Sequence, residues 1–161
     1  MNELPGWLKH ATVWLLLGLL MFLGVQVWQA RERQTRFAIE GQLVEIRRSA
    51  DGHYHWLGRL AGREVEFLVD TGATGTAIPS RLADELGLPT VGAVQSATAG
   101  GVVQGRVVVG DLELEGGVRA ERLRITALPQ LHAPLLGMDV LGRLPLQQDR
   151  GVLRIDLGGA R

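Results

Sequence analysis

Phe67-Leu68-Val69-Asp70-Thr71-Gly72-Ala73-Thr74 decides how this chain is read. An apolar run of strand-forming residues ends in an aspartate, and an Asp-Thr-Gly turn follows. A strand in this place delivers one carboxylate into a tight loop. Thr71 can hydrogen-bond backbone groups and brace the loop, and Gly72 lets the backbone approach the carboxylate closely. Asp-Thr-Gly occurs once in the 161 residues, so each chain supplies one such carboxylate.

Downstream, Thr76-Ala77-Ile78 reads as a short strand ended by Pro79. Ser80 is placed to N-cap a short helix, Arg81 to Leu86, with Leu82 and Leu86 on one face and Gly87 as its stop. Ser96-Ala97-Thr98-Ala99-Gly100-Gly101 then leads into Val102 to Val109. Two glycines at the tip between extended runs predict a mobile hairpin. Leu112 to Leu114 and Val118 to Ala127 supply further strands, Val107 to Val109 reading as sheet core. Ala133-Pro134-Leu135-Leu136-Gly137-Met138-Asp139-Val140-Leu141 predicts a short apolar strand, a glycine and a short helix. Asp149-Arg150-Gly151 turns into a last strand, Val152 to Leu157.

Upstream, His53 to Leu60 and Glu64 to Val69 form a hairpin around Ala61-Gly62-Arg63. Ser49-Ala50-Asp51-Gly52 is a turn signal, and Leu43, Val44 and Ile46 mark another strand. Further back, Ala11 to Trp28 carries no charge, and its 18 residues with their flanks can span a bilayer as a helix. Trp7, Trp14 and Trp28 include both ends, where indoles favour the interface. A cleaved signal peptide fits less well, since Val27-Trp28-Gln29-Ala30 puts a Trp where cleavage wants small residues. The expected organisation is a short tail at 1–8, a transmembrane helix at 9–29, a juxtamembrane linker at 30–42 and a folded domain at 43–161. Arg31, Arg33 and Arg36 outnumber Lys9, which by the positive-inside rule favours a cytoplasmic domain.

Zero net charge favours neither nucleic acid nor an anionic surface as partner. The absence of cysteine excludes disulfides and thiol catalysis but leaves the compartment open. Twenty-two glycines and few aromatics suit many short strands joined by turns.

The order of these parts, hairpin, Asp-Thr-Gly-Ala, short helix, glycine hairpin and Leu-Leu-Gly-Met-Asp-Val-Leu, resembles the bacterial membrane-anchored retropepsin-like (clan AA) aspartic proteases. The likeness covers about residues 41 to 157 together with the anchor, and Ala73 after the glycine fits the retropepsin-like branch. It implies a mainly β acid-protease barrel with short helices, preceded by one transmembrane helix in a bacterial inner membrane, with the domain in the periplasm. That placement conflicts with the arginine count. The resemblance makes Asp70 catalytic, with Thr71, Gly72 and Ala73 supporting its loop. Thr98, Ala99, Gly100 and Gly101 become the substrate-covering flap, and Leu135, Leu136 and Gly137 the second hallmark strand. Gly100 stands where family flaps often carry Asn. A lone aspartate cannot make a dyad, so a homodimer supplies the second copy. The substrate is a protein or peptide, and no metal or organic cofactor is implied.

The same residues admit other readings. Asp70 could be a structural turn residue, and the domain a catalytically inactive, membrane-tethered peptide-binding module of the same fold. Asp139 could complete an intrachain pair, but it fits better as a negative charge in the first turn of a helix. His53, His55 and His132 could bind a metal, but fit better as solvated or half-buried imidazoles.

Overall fold

The structure is a computed structural model describing residues 6–32, 35–41, 43–98 and 101–158; side chains at 6–12, 27–32 and 97–98 lie outside the description. The chain divides into two compact units, residues 1–34 and 35–161. In the first, helix α1 runs Gly6–Glu32. Its described side chains, 13–26, are mostly apolar and all exposed. Among the described residues no helix is long and apolar enough to cross a membrane. The expected span, 9–29, runs past the described side chains at both ends, and the expected tail, 1–8, lies wholly outside them.

The second unit is almost entirely β. Its strands are β1 (Arg36–Ile39), β2 (Leu43–Arg47), β3 (His55–Leu60), β4 (Arg63–Val69), β5 (Ala77–Pro79), β6 (Thr90–Thr98), β7 (Gly101–Leu114), β8 (Val118–Leu128), β9 (Leu135–Leu136), β10 (Leu146–Asp149) and β11 (Val152–Asp156). Two short helices interrupt them, α2 (Ser80–Glu85) and α3 (Met138–Leu141). Eight strands form one sheet in the order β1-β8-β5-β9-β4-β3-β7-β6, and an extra β8–β7 pairing closes its middle into a barrel. β10, β11 and β2 form a second, antiparallel sheet.

Alternation drives the barrel together. On β3 and β4 the inward residues are Trp56, Leu60, Val65 and Phe67, with Trp56 directly opposite Phe67. The Trp56 indole donates to the Glu115 carbonyl at 2.9 Å, so its one polar group is satisfied. The hairpin turns at Ala61 (φ +49°) and Gly62 (φ +81°), the left-handed pair a two-residue turn requires. β8 changes phase: Val118 and Ala120 face inward, and then Leu123, Ile125 and Ala127 do. The cause is a β-bulge. Glu121 and Arg122 oppose Asp111 alone, Arg122 takes φ +55°, and its N–H donates to the Asp111 carboxylate at 2.7 Å.

Two expectations need correction, and one strand was not expected. The folded unit begins at Thr35, not at residue 43. Arg36–Ile39 pairs in register with Val118–Glu121 of β8, so the expected linker 30–42 contains a strand of the main sheet. Ser80 is not the N-cap of α2. Pro79 holds that position with extended backbone, and no side chain caps the helix. Leu146–Asp149, unassigned from sequence, pairs with β11 as a strand.

The segment before β3 sits next to the end of β4, because the Val69 N–H donates to the Tyr54 carbonyl at 2.9 Å. Asp51 shapes this segment. Its carboxylate accepts from the His53 N–H at 2.9 Å and lies 2.8 Å from His55 Nε2. The His53 N–H first, and then the imidazole, hold the Asp51 carboxyl below its ordinary value of 3.8. A carboxyl depressed in the folded state stabilises it above the unfolded value, and that contribution is lost as pH falls through the lower folded value. Asp51→Asn is therefore expected to narrow the stability difference between pH 6 and pH 2.5, measured by urea unfolding. An unchanged difference would remove Asp51 from the acid response.

Candidate active site

The Asp70 loop is built by two strands running side by side. β4 and β9 are parallel, with Leu68 beside Leu135 and Val69 beside Leu136. The Leu68 N–H donates to the Pro134 carbonyl at 2.9 Å, and the Asp70 N–H to the Leu136 carbonyl at 3.0 Å. Both strands are thus held until the moment the chain leaves β4. At Asp70 it turns, with the Ala73 N–H donating back to the Asp70 carbonyl at 3.2 Å. The Gly72 N–H donates to Asp70 Oδ1 at 2.9 Å, which fixes one carboxylate oxygen. Asp70 is half-buried, and Thr71 and Gly72 are exposed. A fixed, half-exposed carboxylate at the end of a rigid strand can activate a water or hydrogen-bond a substrate carbonyl.

The second hallmark strand is where the sequence places it. Leu136 is fully buried, and the Met138 N–H donates to the Ala73 carbonyl at 2.9 Å. Gly137 is required by contact. A β-carbon there would lie 2.3 Å from the Gly75 carbonyl carbon and 2.5 Å from its oxygen, so only glycine lets the two chain segments touch. The structure brings together Asp70, Thr71, Gly72, Ala73, Leu135, Leu136 and Gly137.

The glycine hairpin is less fully described. β6 and β7 pair from Thr90 to a last pair, Thr98 opposite Gly101. Ala99 and Gly100 lie outside the described residues, as does the side chain of Thr98. Away from its tip, β7 pairs along β8 from Arg106 to Leu114 and with the turn end of β3 through Leu112–Leu114. Val107 and Val109 are half-buried and Val108 fully buried, the sheet positions expected of them.

Asp139 does more than place a charge in a first turn. Its Oδ1 accepts from the Thr76 N–H at 2.9 Å, from the Thr76 hydroxyl at 2.8 Å and from the Val140 N–H at 3.0 Å. The Thr76 hydroxyl, 1% exposed as a residue, also accepts from the Gly137 N–H at 3.3 Å. Thr76 and Asp139 therefore rivet the strand after the Asp loop to the helix after the hallmark glycine. Sequence reasoning missed Thr76. Its signal was the one hydroxyl within the short strand Thr76-Ala77-Ile78. The three donors commit Asp139 to structure and not to an intrachain dyad. Asp139→Asn keeps an acceptor oxygen and should cost about 1 kcal/mol. Asp139→Ala leaves buried Thr76 groups unpaired and should cost about 3 kcal/mol, both read from denaturant midpoints. Equal costs would show that the carboxyl acts through charge alone.

Of the three histidines, His55 lies between two carboxylates, Asp51 at 2.8 Å and Glu66 at 3.7 Å, while His53 and His132 are exposed. Among the described residues no cluster of three or more His, Cys, Asp or Glu is placed to hold a metal ion.

Residues 57–143 match the family model "gag-polyprotein putative aspartyl protease". No curated protein matches the chain. Among solved structures it is similar to a retropepsin-like aspartic protease from Rickettsia conorii, with a TM-score of 0.56 and 22% identity over 76% of this chain and 93% of that one. It is also similar to the EIAV protease complexed with the inhibitor HBY-793, with a TM-score of 0.49 and 16% identity over 58% of this chain and 89% of that one. The Rickettsia likeness shows a retropepsin-like fold.

Proposed function

The chain belongs to the gag-polyprotein aspartyl protease family, and from that premise we propose that it is a membrane-anchored endopeptidase whose catalytic pair is Asp70 from each of two identical chains. The observation that carries this reading is the Asp70 loop itself. The Asp70 carboxylate is fixed at Oδ1 by Gly72 and half-exposed on its loop, while the Asp139 carboxylate is taken up by three donors from Thr76 and Val140. The site needs a second carboxylate, and a two-fold axis through the loop supplies it from another copy. Exposed Thr71, Gly72 and Met138 lie on or beside the surface such a copy would cover.

Two carboxylates a few ångströms apart share one proton, because both cannot ionise easily. The ionised member takes a proton from a bound water, and the resulting hydroxide character attacks the scissile carbonyl. The protonated member donates to the carbonyl oxygen as negative charge develops there. The proton taken from water then passes to the leaving amine, and the C–N bond breaks. The β6–β7 hairpin covers an extended substrate and excludes water during these steps. An extended peptide would add as a strand, with side chains in apolar pockets.

The anchor is the uncharged run Ala11–Trp28, and we place the domain in the bacterial periplasm on the strength of the resemblance. Confinement to two dimensions raises the effective concentration of protomers and favours a weak dimer. A C-terminal alkaline phosphatase fusion should be active; a silent phosphatase with a bright cytoplasmic reporter would reverse the orientation. Cleavage itself is tested with a diverse peptide library from pH 3 to 8, with and without EDTA. The rate should be bell-shaped in pH, on the acidic side, and indifferent to chelator. Loss of cleavage with EDTA would overturn the aspartic mechanism, and binding without cleavage would favour a peptide-binding module.

A further inference from the structure

β1 does more than extend the sheet. Phe37 packs against the core cluster, and the Arg143 guanidinium stacks over its ring, 4.0 Å from the centroid. The same Arg143 donates from Nε to the Asp139 carbonyl at 3.1 Å, and its own N–H donates to the Val140 carbonyl at 3.1 Å. Arg143 therefore sits at the end of α3 with one face on β1. At its other end α3 is pinned to the Asp70 loop three times. Met138 N–H bonds the Ala73 carbonyl, the Asp139 carboxylate binds Thr76, and the Gly137 N–H reaches the Thr76 hydroxyl. α3 is only four residues long, so a displacement at Arg143 is felt within one turn at Asp139.

We propose that Arg143, clamped on Phe37 of β1, is a positioning residue for the Asp70 loop, making the first strand of the folded unit part of that loop's outer support. A guanidinium over an aromatic face gains from the ring quadrupole, and a planar fork can stack while its Nε–H bonds a carbonyl. Arg143 uses both properties. Without the ring, the guanidinium loses the surface that orients it. Without the guanidinium, β1 keeps its ladder to β8, but α3 loses its outer fastening. The expected signature is a change in the loop's order and in turnover, with the fold retained. No side chain of the pair touches Asp70, and substrate affinity should hold.

The activity arm of the test rests on the reading of Asp70 as catalytic; the exchange arm does not. Full-length chain in detergent micelles is compared as wild type, Arg143→Ala, Phe37→Leu, the double variant and the conservative Phe37→Tyr. Two quantities are measured: kcat and KM on a cleaved peptide, and hydrogen exchange at the Ala73, Thr76 and Met138 amides. Arg143→Ala and Phe37→Leu should each lower kcat about threefold to tenfold with KM unchanged. The double variant should lose no more than the worse single variant, because both changes break one contact. Phe37→Tyr should behave as wild type. Exchange at Thr76 and Met138 should speed up by a similar factor, while the Trp56 and Leu60 amides of β3 stay protected.

Unchanged exchange at Thr76 and Met138 in Arg143→Ala overturns the proposal. So does a uniform rise at all core amides, which would mean ordinary destabilisation, and so do additive losses in the double variant. If the wild type cleaves no peptide, the proposed function fails while the exchange result still decides the coupling.

Discussion

Asp70→Asn should abolish peptide cleavage and leave the fold as it is. The amide fills the volume of the carboxyl, and its Oδ1 can still accept from the Gly72 N–H, the bond that fixes the group. The backbone bonds to Leu136 and Ala73 do not involve the side chain. What the amide cannot do is take a proton from water, so the loss is chemical and complete. The dimeric site makes a sharper demand. Mixing wild type with excess Asp70→Asn chains should poison activity beyond simple dilution, because mixed dimers carry one competent carboxylate. Activity per wild-type chain should also fall on dilution alone. Residual cleavage by the pure variant would overturn the assignment of Asp70. Concentration-independent cleavage by a proven monomer would overturn the shared site.

The features legible in the sequence were those whose cause is local. Phe67 to Thr74 announces its loop because an apolar strand, a carboxylate and a glycine turn occupy neighbouring positions. The β3–β4 hairpin was legible for the same reason, since Ala61-Gly62 needs only its own backbone freedom and flanking alternation. Leu135-Leu136-Gly137 was recognised as a pattern, but why its glycine is required was not, because the Gly75 backbone it touches is far away in the chain. The Thr76–Asp139 bond spans 63 positions, and neither residue is unusual in its own neighbourhood. β1 was hidden differently. Arg36–Ile39 is four residues long and half-exposed, and it is a strand only because β8 offers an open edge. β8 itself shifts phase at Arg122, and strict alternation does not survive a bulge. The site was thus readable at its chemical centre, where Gly72 and Ala73 hold Asp70 locally, and unreadable in the long-range contacts that fasten the loop to α3.

Gly137→Ala should disrupt the contact that holds the Asp70 loop against the hallmark strand. The added carbon would meet the Gly75 carbonyl carbon at 2.3 Å, its oxygen at 2.5 Å and its Cα at 2.8 Å. These are backbone atoms in the segment between Asp70 and Thr76, so no rotamer change relieves the clash. Either the hallmark strand or the Asp loop must move. Moving the first breaks the Gly137 N–H bond to Thr76, and moving the second breaks the Met138 N–H bond to Ala73. Overpacking at a backbone contact, with a buried bond lost, should cost about 3 kcal/mol or more. For a unit of this size that is a fall in Tm on the order of 10 °C. Gly92→Ala is the matched control, because a β-carbon there meets nothing within 4 Å. Both variants gain the same small stabilisation from a less flexible unfolded chain, so their difference isolates the native contact. Thermal unfolding followed through the buried Trp56 should separate them clearly. Equal melting temperatures would mean that the Gly75–Gly137 contact is loose, and that the Asp70 loop is held by its strand alone.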